Sequence, residues 1–155
     1  MKVVIQRVKK TAVKVEGKTI GQIGEGLVIL LAIKTGDGGV VAEKMAEKIL
    51  KLRVFENAAE KFDQSILDIK GEILVVPQFT LYADCAGGNR PFFGESARPE
   101  VAKPLFEKFV AELKKSGLKV EKGRFGAKMA VELINDGPVT IILEAEVNSK
   151  NPKFK

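Results

Sequence analysis

Hydrophobic and polar positions alternate from the first residues. Val3, Ile5 and Arg7 share one parity, Val4, Gln6 and Val8 the other, and Ala12-Val13-Lys14-Val15 follows. A period of two is that of a strand with one face buried. Gly17-Lys18 predicts a hairpin turn into a strand over 19–23, so the opening reads as a β-meander. After Gly24 and Gly26, residues 27–33 are unbroken apolar, which predicts a strand crossing the core. Gly36-Asp37-Gly38-Gly39 ends it, and Val41, Met45, Ile49 and Leu52 then recur at helical spacing, supported by Glu47 and Lys51.

A second helix is signalled by Pro99 at its start, a stripe of Ala102, Phe106, Phe109 and Leu113, late Lys114 and Lys115, and Gly117 as the stop. Between the helices, 66–69 and 72–82 read as strands joined at Lys70-Gly71. Ala127, Met129, Val131 and Leu133 alternate before a turn at Asn135-Asp136-Gly137-Pro138, and Val139, Ile141, Leu143, Ala145 and Val147 form a last strand. Residues 148–155 are polar and basic and leave Phe154 without a partner, which predicts a flexible tail. The order of elements predicts one α+β domain over 1–147, a barrel-like, mostly antiparallel sheet with two main helices packed outside.

Composition narrows the chemistry. A chain of 155 residues with 45% hydrophobic content suffices for one core. The apolar run GLVILLAI is far short of the ~18 residues of a membrane-spanning helix, and no apolar signal segment opens the chain, so a cytoplasmic protein away from membranes is expected. The lone Cys85 forms no internal disulfide, and the absence of histidine excludes Ser-His-Asp and Cys-His catalysis and Cys/His zinc sites. Neither a metal nor a cofactor is expected. A net charge of +6 suits a polyanion such as RNA, although a solvated Lys/Glu surface gives the same balance.

Three segments stand out against the periodicity. In Pro77-Gln78-Phe79-Thr80, Pro77 marks an edge or a bulge, and a bulge would turn the N–H groups of Gln78 and Phe79 toward a ligand carbonyl; an ordinary edge strand is the alternative. Gly87-Gly88-Asn89-Arg90-Pro91 offers a guanidinium in an extended, flexible loop, suited to phosphate or to plain solvent exposure. Gly137-Pro138 presents main chain nearly bare of side chains, at a hairpin turn or against a small ligand.

With these segments in view, the chain resembles the D-aminoacyl-tRNA deacylases from Met1 to about Val147. The resemblance is carried by Val4-Ile5-Gln6-Arg7-Val8, by 71–84 with its Pro77-Gln78-Phe79-Thr80, by Gly88-Asn89-Arg90-Pro91, by Phe125-Gly126-Ala127 and by Asn135-Asp136-Gly137-Pro138-Val139-Thr140. It implies hydrolysis of the ester between a D-amino acid, or glycine, and the terminal adenosine of tRNA, with L-aminoacyl-tRNA rejected. It also implies a catalytic segment Gln78, Phe79 and Thr80, in which either Thr80 or the RNA 2′-hydroxyl drives the chemistry. The second is favoured, because no base is positioned for Thr80. A homodimer is implied, in which a Gly-cis-Pro pair, here Gly137-Pro138, enters the neighbouring subunit's pocket, with Arg7 fixing that loop, Phe125 and Met129 as pocket walls, and Asn89 and Arg90 facing RNA. The chain departs from the family pattern at Pro77, where Ser is common, at Gly87, where Lys is frequent, and at Phe92, where a small residue is frequent. A non-catalytic RNA-binding protein and a small-molecule esterase are the alternatives.

Overall fold

Strand β1 (Lys2–Val15) is the axis of the fold in the computed structural model, which describes residues 1–145 and 152–155. One edge of β1 pairs antiparallel with β2 (Lys18–Ile23) and β3 (Gly26–Ala32); the other pairs antiparallel with β8 (Ala130–Glu144). Beyond β3 the sheet continues in parallel, through β6 (Glu72–Pro77) to β7 (Val120–Lys122). The sheet is therefore mixed, and it curls into a nearly closed barrel. Helices α1 (Gly39–Leu50) and α2 (Pro99–Lys114) pack outside it, and a short ribbon of β4 (Phe55–Glu56) and β5 (Phe62–Gln64) follows α1. Among the described residues no helix is long and apolar enough to cross a membrane.

The apolar runs of β3 and β6 are unbroken because both of their faces are covered. Ile29, Ile73 and Val75 face the helices and meet Met45, Ile49, Phe106 and Phe109 in the larger core. Val28, Leu74 and Val76 face the barrel interior with Val8, Val13 and Ile23. Each such side chain, fully buried, contributes about 1.5–3 kcal/mol. Close approach sets one glycine: a Cβ on Gly26 would lie 1.8 Å from the Glu72 carbonyl oxygen.

Several expectations are corrected. The first hairpin turns at Glu16-Gly17, both at positive φ, with Val15 opposite Lys18. Residues 66–69 are a turn, because the Ser65 N–H and hydroxyl both donate to the Asp68 carboxylate (2.8 and 2.6 Å), a local alternative to a strand ladder. The strand expected over 72–82 stops at Pro77 and passes into a 3-10 turn, Phe79–Tyr82. Asn135-Asp136-Gly137-Pro138 is not a hairpin. Both halves of β8 run antiparallel to the same β1, and between the pairs Gln6↔Thr140 and Val8↔Asn135 β1 advances by two residues while β8 advances by five. The segment is thus a bulge on one strand. Phe154, expected to lack a partner, bridges Ala145 and packs on the core, and Lys155 exchanges two main-chain hydrogen bonds of 3.0 Å with Glu144. The strand position Val147 and the tail positions 148–151 lie outside the described residues.

Candidate active site

At the carboxyl ends of the parallel pair β3 and β6 lies a cavity of about 520 Å³. Its walls are the strand ends Leu31–Ile33 and Val76–Phe79, the approach to α2 with Ser96 and Ala97, the helix positions Pro99, Ala102 and Phe106, and the loop Phe125–Ala127 leading to Met129. Phe125 leans on Phe106 with ring centroids 6.1 Å apart. Among the described residues the only polar side chains in the lining are those of Gln78 and Ser96, and none is titratable. Met129 closes over Pro77 because Gly123 leaves room: a Cβ there would stand 2.8 Å from the Met129 sulfur and 3.3 Å from Pro77 Cδ.

The turn after β6 sets the polar geometry. The ladder to β7 reaches only Val75, so Pro77, without an N–H, costs no hydrogen bond. The Gln78 N–H donates to the Leu31 carbonyl at 2.8 Å and is therefore spent, contrary to its expected availability to a ligand. Among the described residues the next two amides, Phe79 and Thr80, have no acceptor, because they precede the first hydrogen bonds of the 3-10 turn, Leu81 N–H to the Gln78 carbonyl at 3.2 Å and Ala83 N–H to the Thr80 carbonyl at 3.0 Å. The Ser96 hydroxyl steadies this turn by donating to the Phe79 carbonyl at 3.0 Å. The Phe79 ring is 58% exposed and sits edge-on to Phe93 at 5.1 Å. The Gln78 side-chain amide donates to Thr80 Oγ1, so the hydroxyl is oriented by a donor that lends it no basicity. Tyr82 closes the turn in the core, its phenol pushed above its ordinary range chiefly by burial, with the Lys2 ammonium 4.6 Å from its ring centroid.

The bulge on β8 is held differently. Arg7, 6% exposed, donates through Nη1 to the Val54 carbonyl (2.9 Å), through Nη2 to Glu56 (3.1 Å), and through Nε to the Asp136 carbonyl (3.3 Å), and it forms an ion pair with the Asp136 carboxylate, 3.2 Å from Nε. The Asn135 amide donates to the Arg7 and Val139 carbonyls, 3.0 Å each, across the base of the bulge. Gly137 has φ +120°, and a Cβ there would meet Val139 Cγ2 at 2.8 Å and Arg7 Nη2 at 3.1 Å, so the position accepts glycine alone without strain. The Gly137-Pro138 peptide is cis, and both residues are exposed.

Of the residues singled out in the sequence, Gln78, Phe79, Phe125 and Met129 come together around the cavity. Thr80 is next to it but outside the lining. Arg7, Gly137 and Pro138 cluster with one another and line no part of it within the chain. Asn89 and Arg90 stand in an exposed loop tied at its base by Asp84↔Phe92, beside exposed Cys85. Ser96, Ala97, Pro99, Ala102 and Phe106 were not anticipated as lining. The signal was present for the helical ones, since the stripe that packs α2 on the core also turns its first positions to the cavity.

Comparison with known proteins adds an independent line. A family model described as D-Tyr-tRNA(Tyr) deacylase matches residues 4–144. A protein of Aquifex aeolicus named D-aminoacyl-tRNA deacylase is 56% identical over 145 residues, covering 94% of this chain and 98% of that one. One of the same name from Halalkalibacterium halodurans is 53% identical over 146 residues, covering 94% and 100%. Among solved structures, that of the c-Myc DNA Unwinding Element Binding Protein superposes with a TM-score of 0.87 at 42% identity, covering 95% of this chain and all of that one. A probable eukaryotic D-amino acid tRNA deacylase superposes with a TM-score of 0.80 at 18% identity, covering 91% and 97%, and so shares the fold.

Proposed function

This chain belongs to the D-aminoacyl-tRNA deacylase family and is a hydrolase of the D-aminoacyl-tRNA ester, and we propose that it works with main-chain donors and the substrate's own ribose in place of a catalytic side chain. The observation that carries this reading is a cavity that, among the described residues, has no titratable side chain in its lining and lies next to two unpaired amides, those of Phe79 and Thr80. The ester carbonyl sits against those amides. Water adds to its carbon, the oxygen that becomes negative takes both hydrogen bonds, and the acyl–oxygen bond to the terminal adenosine then breaks as the water's proton passes to the ribose oxygen. The vicinal 2′-hydroxyl relays that proton. Such an ester is already activated, so orientation and charge stabilisation suffice. Gln78 positions the turn through Thr80 and through its own N–H to Leu31.

Selection of handedness falls to a second copy of the chain. Gly137 and Pro138 are exposed on a bulge that Arg7 makes rigid, away from the cavity of their own chain, and in a homodimer they enter the partner's pocket. Their bare main chain fills the space an L side chain would need, and Phe125 and Met129 form the opposing wall. Glycine, which has no side chain to clash, passes the same filter, so glycyl-tRNA is also cleaved. Asn89 and Arg90 face the RNA, and the protein works in the cytoplasm on charged tRNA.

The test is turnover. Protein at a hundredth of the concentration of D-tyrosyl-tRNA is expected to release all of the amino acid and to leave L-tyrosyl-tRNA intact; a stoichiometric limit would mean a binder. Comparable hydrolysis of free D-amino acid esters would mean a small-molecule esterase. Thr80→Ala is expected to keep deacylation within about tenfold of the parent, and its abolition in a folded variant would restore Thr80 as the nucleophile.

A further inference from the structure

Positive charge is distributed unevenly over the surface. On the helical face several lysines are neutralised in pairs: Lys44 and Lys51 with Glu47, Lys108 with Glu43, Lys115 with Glu112. Lys51 and Lys44 hold the Glu47 carboxyl down to about 2. Lys119 and Lys122 are likewise paired, with Glu72 and Glu107. Around the cavity Lys34 is paired in the same way, with Glu95, but among the described residues four other cations are not. Arg98 adjoins the lining residues Ala97 and Pro99, Lys103 lies one turn above Pro99 on α2, and Arg124 and Lys128 bracket the lining loop Phe125–Ala127. All four are exposed, and among the described residues none has a carboxylate within 4.0 Å; Glu100, in the same turn of α2 as Arg98 and Lys103, pairs with neither. Unpaired lysines occur elsewhere, such as Lys48 on α1 and Lys114 at the far end of α2, but they flank no lining residue.

We propose that Arg98, Lys103, Arg124 and Lys128 form a cationic collar that binds the phosphates of the single-stranded 3′ end of the RNA. The inference rests on the deacylase reading, since an acyl ester seated in the cavity carries its 5′ phosphates out across these two segments. Two guanidinium groups offer paired donors to phosphate oxygens, and two ammonium groups act as point charges. Because no carboxylate of the described residues pairs with them, the four are available to exchange bound counterions for phosphate, and the contact is sequence-independent.

The collar is tested with the fourfold variant Arg98→Gln, Lys103→Gln, Arg124→Gln, Lys128→Gln on two substrates, D-tyrosyl-tRNA and 3′-O-D-tyrosyl-adenosine, which has no phosphate. Four phosphate contacts to a single strand give log(kcat/KM) against log[salt] a slope of about −2.8, equivalent to about 50-fold between 50 and 200 mM salt. The variant is expected to flatten the tRNA slope by about that amount and to leave adenosine-ester hydrolysis unchanged, with each single substitution flattening it by about 0.7. The control Lys48→Gln, Lys114→Gln keeps the parent slope. An unchanged slope in the fourfold variant, equal loss on both substrates, or equal flattening by the control overturns the collar while the deacylase reading stands. A parent chain inert on both substrates removes that reading and the collar with it.

Discussion

The bulge that carries Gly137-Pro138 and the cavity beside Gln78 are built in opposite ways. At the bulge the polar groups are engaged in a network in which one buried guanidinium meets two carbonyls and two carboxylates, and Asn135 closes the base. At the cavity the walls are almost wholly apolar, two polar side chains enter, and beside it two main-chain amides have no acceptor among the described residues. A wall that must reject a wrong shape gains from rigidity, since a yielding backbone would admit it. A site that stabilises developing charge gains from few competing groups and little water, where fixed N–H dipoles act most strongly. Substitutions should therefore separate the two regions: at the bulge they cost stability and selectivity, at the cavity rate.

Arg7→Ala sets the largest contrast. It strands Asp136, Glu56 and the Val54 carbonyl, and a loss of about 3 kcal/mol is expected in urea unfolding, with Arg7→Lys restoring little because one ammonium cannot span all three directions. A loss below about 1 kcal/mol would mean that the network does not hold the bulge. Gly137→Ala follows, at about 2 kcal/mol from the left-handed φ and the contact with Val139, and it should raise cleavage of L-tyrosyl-tRNA relative to the D form; an unchanged ratio of the two rates would break the assignment of the wall. Phe125→Ala is the mildest for the fold, about 1 kcal/mol, because the ring is only half buried, yet kcat/KM for D-tyrosyl-tRNA should fall on the order of 10-fold as one wall of the cavity is lost. Equal losses of stability at Phe125 and Arg7 would erase the distinction.

How much of this was legible depended on whether the governing contact was local. The helices announced themselves through Val41, Met45 and Ile49 and through Ala102, Phe106, Phe109 and Leu113, because a 3.6-residue stripe is written in consecutive residues. The two-faced burial of β3 was equally plain in its unbroken apolar run. Asn135-Asp136-Gly137-Pro138 misled because a bulge and a hairpin use the same turn chemistry, and only the long-range pairing of Thr140 with Gln6 tells them apart. Residues 66–69 misled because Ile66 is fully buried, as a strand residue would be, while the Ser65–Asp68 hydrogen bonds fold the chain over it. At the candidate site, Gln78 and Phe79 stood out through the neighbouring Pro77. Ser96 carried no pattern, and the spent Gln78 amide could be known only from its bond to Leu31, far away in sequence.

The continuity of β8 on both sides of its bulge bears on how this family can diversify. An inserted or deleted residue cannot be absorbed by sliding either half along β1, since a slip of one position would turn Val139, Leu143 and their neighbours inside out. The two ends of the excursion are thereby pinned in register, like a tooth cut into a ratchet bar, and a change in its length is taken up in the segment it displays.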